Sequence, residues 1–244
     1  MSAGGRGEDA AADVAPLVEK AQTPSTNDDA RALALSGAAH GTAVLAAQQS
    51  AGRGRAGRSF ASPTGGLYLS VVLRPHAPPH HWSVLPLAAG AAAAWTLRER
   101  GFPVELKWPN DLMLCGRKLG GVLVESRMGH HDFAVVGIGA NVREAPHDVP
   151  DATCLAAHAA PPDVRALAQA VRAAVVARVA RLDAEGPRGV LSEVRALCGT
   201  LGRRVEWEKG DGVAVDVAED GALVVDVGGA TARVVAGDVR LRVR

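Results

Sequence analysis

Seven consecutive positions, Gly52-Arg53-Gly54-Arg55-Ala56-Gly57-Arg58, carry three glycines and three arginines. Glycine lets the backbone turn through positive φ and come close to a ligand. Arginine adds a permanent cation with forked donors suited to phosphate or carboxylate. The run therefore reads as a loop, a glove for a polyanion held open by the mutual repulsion of its cations, fed by a strand from Thr42 to Gln48. A specific small-anion site competes here with a solvated surface loop and with nonspecific nucleic-acid contact. The spacing also satisfies G-x-G-x-x-G, but a dinucleotide-binding turn must open a helix and meet an acidic residue ~20 positions later. Turn-forming residues, Ser59 to Gly66, follow instead, and no Asp or Glu occurs between Asp29 and Glu99. The phosphate-cradling G-x-x-x-x-G-K-[ST] pattern is missing as well, so the anion is expected in the grip of a loop and not at a helix start.

With 244 residues, the chain has room for one substantial core and a small second domain. A net charge of +1 argues against a general nucleic-acid binder. Cys115, Cys154 and Cys198 are odd in number and form no C-x-x-C pair, against a disulfide framework or a zinc site. His80-His81 and His130-His131 lack partners at metal spacing and are assigned to exposed loops. With no signal-peptide h-region and no membrane-length apolar run, a reduced, cytoplasmic protein is expected. Residues Met1 to about Asp13 are expected to be disordered, a lead too short for a DNA-reading domain.

Further along, Ser25-Thr26-Asn27 precedes a helical Ala30 to Leu35. Ser25 with Asp28 resembles a capping box, and the same small polar groups also make a wall for a neutral, hydrogen-bonding ligand. Leu67 to Leu73 reads as a buried strand and Pro86 to Arg100 as a helix. Leu87, Ala91 and Trp95 recur at helical spacing there, which assigns Trp95 to the core. Val104 to Lys107 is a strand ending in a cation, a rigid Trp108-Pro109 corner and the pair Asn110-Asp111, groups positioned rather than merely polar. Lys118 begins the next strand, in which Gly120-Gly121 permit close backbone approach. Phe133 to Ile138 leads through Gly137-Ile138-Gly139 to Asn141, a narrow strand able to pave the floor of a slot. Asp163 is a helix N-cap before a stripe of Leu167, Val171, Val175, Val179 and Leu182, and a further helix runs from Arg188 to Cys198. From Leu201 the pattern turns to short alternating strands at Val213 to Val217, Leu223 to Val227, Thr231 to Val235 and Val239 to Val243. They are expected to close edge to edge into a five-stranded barrel.

Taken together, Ser25-Thr26-Asn27, Gln49-x-x-Gly52-Arg53-Gly54-Arg55-x-Gly57-Arg58, Lys107-Trp108-Pro109-Asn110-Asp111, Lys118-Leu119-x-Gly121 and Gly137-x-Gly139-x-Asn141 resemble biotin protein ligase from about Gln22 to the C-terminus. The resemblance implies an α+β fold of the class II aminoacyl-tRNA synthetase/biotin ligase type, a mixed sheet flanked by helices over residues 14–199. An SH3-like β-barrel over 200–244 would follow. It is to the monofunctional form, without a DNA-binding domain. The implied reaction has two steps: biotin and ATP give biotinyl-5′-AMP and pyrophosphate, and a lysine of a biotin carboxyl carrier domain then displaces AMP. By this resemblance Ser25, Thr26 and Gln49 bond the ureido ring, with Asn27 supporting the helix start. Gly52, Arg53 and Gly54 fold over the biotin tail, and Gly121, Gly137 and Gly139 line its slot. Lys118 bridges carboxylate and α-phosphate. Arg53, Arg55, Arg58, Lys107, Asn110 and Asn141 serve the nucleotide, and Asp111 orients or deprotonates the acceptor lysine. Mg²⁺ accompanies ATP with few protein ligands, no sequence-specific DNA or membrane partner is implied, and a homodimer is compatible. Phe60 stands where the family usually has tryptophan, a smaller platform for adenine with weaker nucleotide retention as the expectation. Two rivals stay in view: lipoate protein ligase, which shares the fold but whose ligand has no ureido group, and a non-catalytic ligand sensor or nucleic-acid adaptor.

Overall fold

A computed structural model describes residues 15–129, 132–147, 149–235 and 239–241. The N-terminal lead expected to be disordered, together with His130 and His131, lies outside the described residues. Seven strands form one sheet: β1 (Leu17–Thr23), β2 (Ala43–Gln49), β3 (Leu67–Leu73), β4 (Val104–Lys107), β5 (Asp111–Leu114), β6 (Arg117–Arg127) and β7 (Phe133–Ala140). Their spatial order is β1-β2-β3-β7-β6-β5-β4. Only β1 and β2 are parallel, joined through α1 (Thr26–Leu35); every other neighbouring pair is antiparallel. Side chains alternate between the two faces of a strand, so each face has its own cover. Val44, Val72, Phe133 and Val135 pack under Ala30 and Ala34 of α1 on one side. On the other, Leu69, Val71, Val136 and Ile138 join the main core with α2 (Leu85–Arg98) and α3 (Val164–Glu185).

The strand from 67 to 73 and the stripe on α3 stand as expected, and Asp163 caps α3 by accepting a hydrogen bond from the Ala166 N–H at 2.8 Å. Strand β1 was not anticipated. Its pattern is polar because it is an edge strand, with only Thr23 buried. Trp95 overturns its assignment to the core, being 47% exposed while Leu87 and Ala91 are buried. Steps of four residues drift by ~40° each at 3.6 residues per turn, so the third member of the series leaves the stripe. Alanines 88, 89, 91, 92, 93 and 94 bury the helix instead. Ser25 holds the N-cap position of α1 but its side chain makes no capping hydrogen bond. The Thr26 N–H donates to Gln49 Oε1 (2.8 Å), and Asp28 is taken by an arginine described below. His80 is exposed, whereas His81 is half-buried in a short 3-10 turn.

After α4 (Arg188–Leu197) come β8 (Arg204–Trp207), β9 (Gly210–Val217), β10 (Leu223–Asp226), β11 (Thr231–Val234) and β12 (Arg240–Leu241). They form an antiparallel sheet in the order β11-β10-β9-β8-β12. Strand β8 was not foreseen. The expected closure into a barrel is not found among the described residues, where β11 and β12 remain edges. The apolar face is covered differently: Val205, Ala214, Val217, Leu223 and Val225 share one continuous core with α2, α3 and α4. Trp108 ties the two sheets together. Its backbone N–H donates to Thr200 Oγ1 (3.0 Å) and its buried indole N–H to the Gly221 carbonyl (2.9 Å).

Candidate active site

The register of the large sheet sets out the site row by row. Tyr68 on β3 faces Gly139 on β7, Gly139 faces Gly121 on β6, Gly121 faces Asp111 on β5, and Asp111 faces Lys107 on β4. One row further along, Ser70 faces Gly137, which faces Leu123. The glycines leave the middle of both rows bare. A Cβ on Gly137 would lie 3.0 Å from Asn27 Cγ, and one on Gly139 would lie 2.5 Å from Phe60 Cε1. Close approach of α1 and of the Phe60 ring to the floor therefore requires glycine at both positions.

Above this floor lies a cavity of about 380 Å³. One end is a neutral polar wall at the start of α1, where Ser25, Thr26 and Asn27 are all buried. Gln49 Oε1 accepts from Thr26 Oγ1 (3.0 Å), and Gln49 Nε2 donates to Ser62 Oγ (2.9 Å). Ser70, fully buried on β3, lies with Oγ 2.8 Å from Thr26 Oγ1 and 2.6 Å from Asn27 Oδ1. Asn27 Nδ2 donates to Glu125 (2.7 Å). Buried amides and hydroxyls fixed by partners in this way hold their remaining valences in set directions.

The other end is charged. Among the described residues, Arg53, Arg55, Arg58, Lys107, Lys118 and Arg240 line the cavity against one carboxylate, Asp111. Lys118 Nζ donates to Asp111 Oδ1 at 2.6 Å, and Lys107 Nζ lies 4.0 Å from Asp111 Oδ2. Asn110 donates from Nδ2 to the Val122 carbonyl (2.8 Å) and accepts from Arg55 (3.1 Å). In a chain of net charge +1, this concentration of cations creates a local positive field suited to an anion.

The loop is not splayed by repulsion. It closes on itself through Phe60 N–H to the Gly52 carbonyl (2.8 Å) and Gly54 N–H to the Arg58 carbonyl (2.7 Å), turning through positive φ at Ala56 and Gly57. Arg53 binds Asp28 with both terminal nitrogens (2.6 and 2.8 Å) and approaches Glu125 at 3.3 Å. That hydrogen-bonded pairing holds the Asp28 carboxyl below its usual range, against the opposing effect of burial, and raises the guanidinium. Phe60 meets Tyr68 edge-on, ring centroids 6.4 Å apart. Burial pushes the Tyr68 phenol up to about 12, and its hydroxyl donates to the Pro63 carbonyl (2.7 Å).

Most residues singled out in the sequence line this cavity: Ser25, Thr26, Asn27, Gln49, Arg53, Gly54, Arg55, Arg58, Phe60, Lys107, Asn110, Asp111, Lys118, Gly121, Gly137 and Gly139. Gly52 lies behind it, its carbonyl engaged by Phe60. Asn141 is also outside the lining. It is buried, with Nδ2 donating to the Thr153 carbonyl (2.9 Å). Sequence reasoning did not assign Tyr68, Ser70, Glu125, Asp28, Val239 or Arg240 to the site. Only strand register, or contacts between residues far apart in the chain, could have brought these to the site.

A model of the Biotin/lipoate A/B protein ligase family matches residues 19–141, the span from β1 to β7 that builds most of the cavity. The biotin–[acetyl-CoA-carboxylase] ligase of Mycobacterium tuberculosis is 39% identical over 90% of this chain and 86% of its own length. Among solved structures, the biotin protein ligase of Aquifex aeolicus in complex with biotin and ATP superposes with a TM-score of 0.80. It is 29% identical and covers 93% of this chain and 98% of that one. The Leishmania major biotin protein ligase in complex with biotinyl-5-AMP gives a TM-score of 0.65 at 26% identity, covering 89% and 98%. Sequence identity over nearly the whole chain and a shared backbone agree with what the cavity already indicated: this chain belongs to the biotin/lipoate A/B protein ligase family.

Proposed function

We propose that the chain is an ATP-dependent biotin protein ligase, forming biotinyl-5′-AMP and passing biotin to a lysine of a biotin carboxyl carrier domain of an acetyl-CoA-carboxylase type enzyme. The observation that carries this reading is one cavity with a neutral hydrogen-bonding wall at one end and, among the described residues, six cations against one carboxylate at the other. Biotin has the same two-part character, a neutral ureido bicycle on a carboxylate tail, and ATP brings the phosphate charge.

Ser25, Thr26 and Gln49 would bond the ureido group, with Asn27, held by Ser70 and Glu125, fixing the helix start. Gly52, Arg53 and Gly54 would lay the loop over the tail on the bare floor of Gly121, Gly137 and Gly139. Lys118 would sit where the carboxylate oxygen attacks the α-phosphorus and pyrophosphate leaves. A fixed cation there stabilises charge that grows in the transition state. Arg55, Arg58, Lys107 and Asn110 would bind nucleotide groups, Asn141 would support that side from behind, and Phe60 would stack on adenine. In the second step the acceptor lysine, an ammonium at neutral pH with an ordinary pKa of about 10.4, must lose a proton before it attacks the acyl carbon and AMP leaves. Asp111 is the cavity carboxylate available to orient it or take that proton. The residues fit Mg²⁺ as a companion of the phosphates, since such an ion needs only one or two carboxylates and Asp111 is at hand. When bound it would neutralise phosphate charge. No helix among the described residues is long and apolar enough to cross a membrane, and the reading places the ligase in the cytoplasm with the carrier domain as its partner.

ATP–pyrophosphate exchange with and without biotin tests the first step, and labelled transfer to a carrier domain tests the second, with lipoate in parallel. Biotin-dependent exchange followed by biotinylation is expected. Exclusive lipoylation, or salt-sensitive nucleic-acid binding without exchange, would overturn the assignment.

A further inference from the structure

Arg53 is counted among the cavity's cations, yet its guanidinium is already committed. One terminal nitrogen lies 2.6 Å from Asp28 Oδ2 and the other 2.8 Å from Asp28 Oδ1, a fork-to-fork pairing. The second nitrogen also lies 3.4 and 3.3 Å from the two oxygens of Glu125. Asp28 belongs to α1 and Glu125 to β6, so a loop side chain is fastened at once to the helix and to the sheet that flank the slot. Glu125 carries a second duty, accepting the Asn27 amide of the polar wall. Arg55 differs in being tied to the neutral amide of Asn110, to which it donates at 3.1 Å.

We propose that Asp28, Arg53 and Glu125 form a strap that holds the glycine-arginine loop across the slot and sets how long the acyl-adenylate stays bound, with Asp28 and Glu125 as positioning residues. This rests on the adenylating-ligase reading of the cavity. Lifting the loop requires the Arg53 fork to leave both carboxylates, and escape of the intermediate requires the loop to lift. The side chains of Arg53, Asp28 and Glu125 are 37%, 51% and 35% exposed, so water screens the pairing. Neutralising one carboxylate then shifts loop opening by about fivefold, the scale of a partly exposed ion pair. The two carboxylates differ in reach. Asp28 acts on the loop alone, whereas Glu125 acts on the loop and on the wall.

Trypsin must draw the Arg53 side chain into its own specificity pocket before it cuts the 53–54 bond. The initial rate of that cut in the ligand-free full chain, followed by mass spectrometry, therefore reads the strap without reference to activity. Asp28→Asn is expected to speed the cut about fivefold and to shorten adenylate retention in a chase experiment by a similar factor, with an unchanged Tm. Asp28→Glu, which keeps the charge, should stay within about twofold of wild type. Glu125→Gln should speed both processes and also weaken biotin binding. Wild-type cleavage and release in both neutral variants would overturn the strap. Faster cleavage with unaltered release would overturn its role in retention. A wild-type chain that makes no adenylate from biotin and ATP would sink the ligase reading and the retention claim together. A faster cut in Asp28→Asn would still support the fastening, so the two failures are distinguishable.

Discussion

Gly137→Ala tests the construction of the polar wall with one added methyl group. The new Cβ would fall inside the van der Waals shell of Asn27 Oδ1, at 3.0 Å from Asn27 Cγ and 3.2 Å from Nδ2. Comfortable contact lies near 3.5–4.0 Å, so the amide must retreat by roughly 1 Å. Asn27 has no slack on its other sides, since Ser70 holds its oxygen at 2.6 Å and Glu125 its nitrogen at 2.7 Å. Retreat therefore costs one or both hydrogen bonds, at about 1 kcal/mol each, besides the overpacking itself, about 1–3 kcal/mol. A loss of roughly 2–5 kcal/mol in biotin binding corresponds to about 30- to 5,000-fold in Kd. Isothermal titration of the folded variant measures this directly. Gly121→Ala is the matched control, because there the nearest atom to a new Cβ is the Asn110 carbonyl oxygen at 3.3 Å, which a small shift relieves. A Gly137→Ala protein that binds biotin within twofold of wild type would refute the wall as drawn. Equal damage from both substitutions would refute the distinction between the two floor positions.

Lys118→Ala should lower ATP–pyrophosphate exchange by about 100-fold or more with the fold intact, since the side chain is 39% exposed and pairs with Asp111 at the cavity surface; near wild-type exchange would unseat Lys118. Phe60→Trp should tighten nucleotide binding several-fold, on the order of 1 kcal/mol from the larger stacking face, and no tightening in a fluorescence titration counts against the platform. The pH response of the strap follows from Asp28, whose folded-state pKa is depressed by its hydrogen bond to Arg53. A depressed carboxyl contributes in full above its free value, about 3.9, and the contribution fades as pH falls through the lowered value. Hydrogen exchange in residues 52–58, corrected for intrinsic rates, should be flat between about pH 5 and 8 and rise only in acid. A rise centred between pH 5 and 7 would contradict it.

Elements with a strong period or strong punctuation were legible in the sequence. The Leu67 to Leu73 strand, the Asp163 cap and the α3 stripe each carry their cause within a few neighbouring residues. Strand β1 was hidden because an edge strand exposes polar side chains and so loses alternation. Trp95 shows the limit of spacing arguments, where two steps of four rotate a residue out of the buried stripe. In the site, most of the residues that line the cavity could be read from motifs. What holds them could not. Ser70 reaches Asn27 across 43 positions, and Arg53 reaches Glu125 across 72, separations set by strand register and loop path. For the same reason the arginine loop looked self-repelling in isolation: its counter-charges lie on α1 and β6.

The double tether on Trp108 bears on how this protein can be cut down. Removing everything after residue 199 would take away Thr200 and Gly221, the partners of the Trp108 backbone and indole N–H groups, and would open to water the core that Val205, Ala214, Val217, Leu223 and Val225 share with α2, α3 and α4. The same deletion strips Val239 and Arg240 from the cavity rim. The terminal sheet thus serves as a keystone for the cavity corner at Pro109-Asn110-Asp111, and a minimal ligase has to keep it.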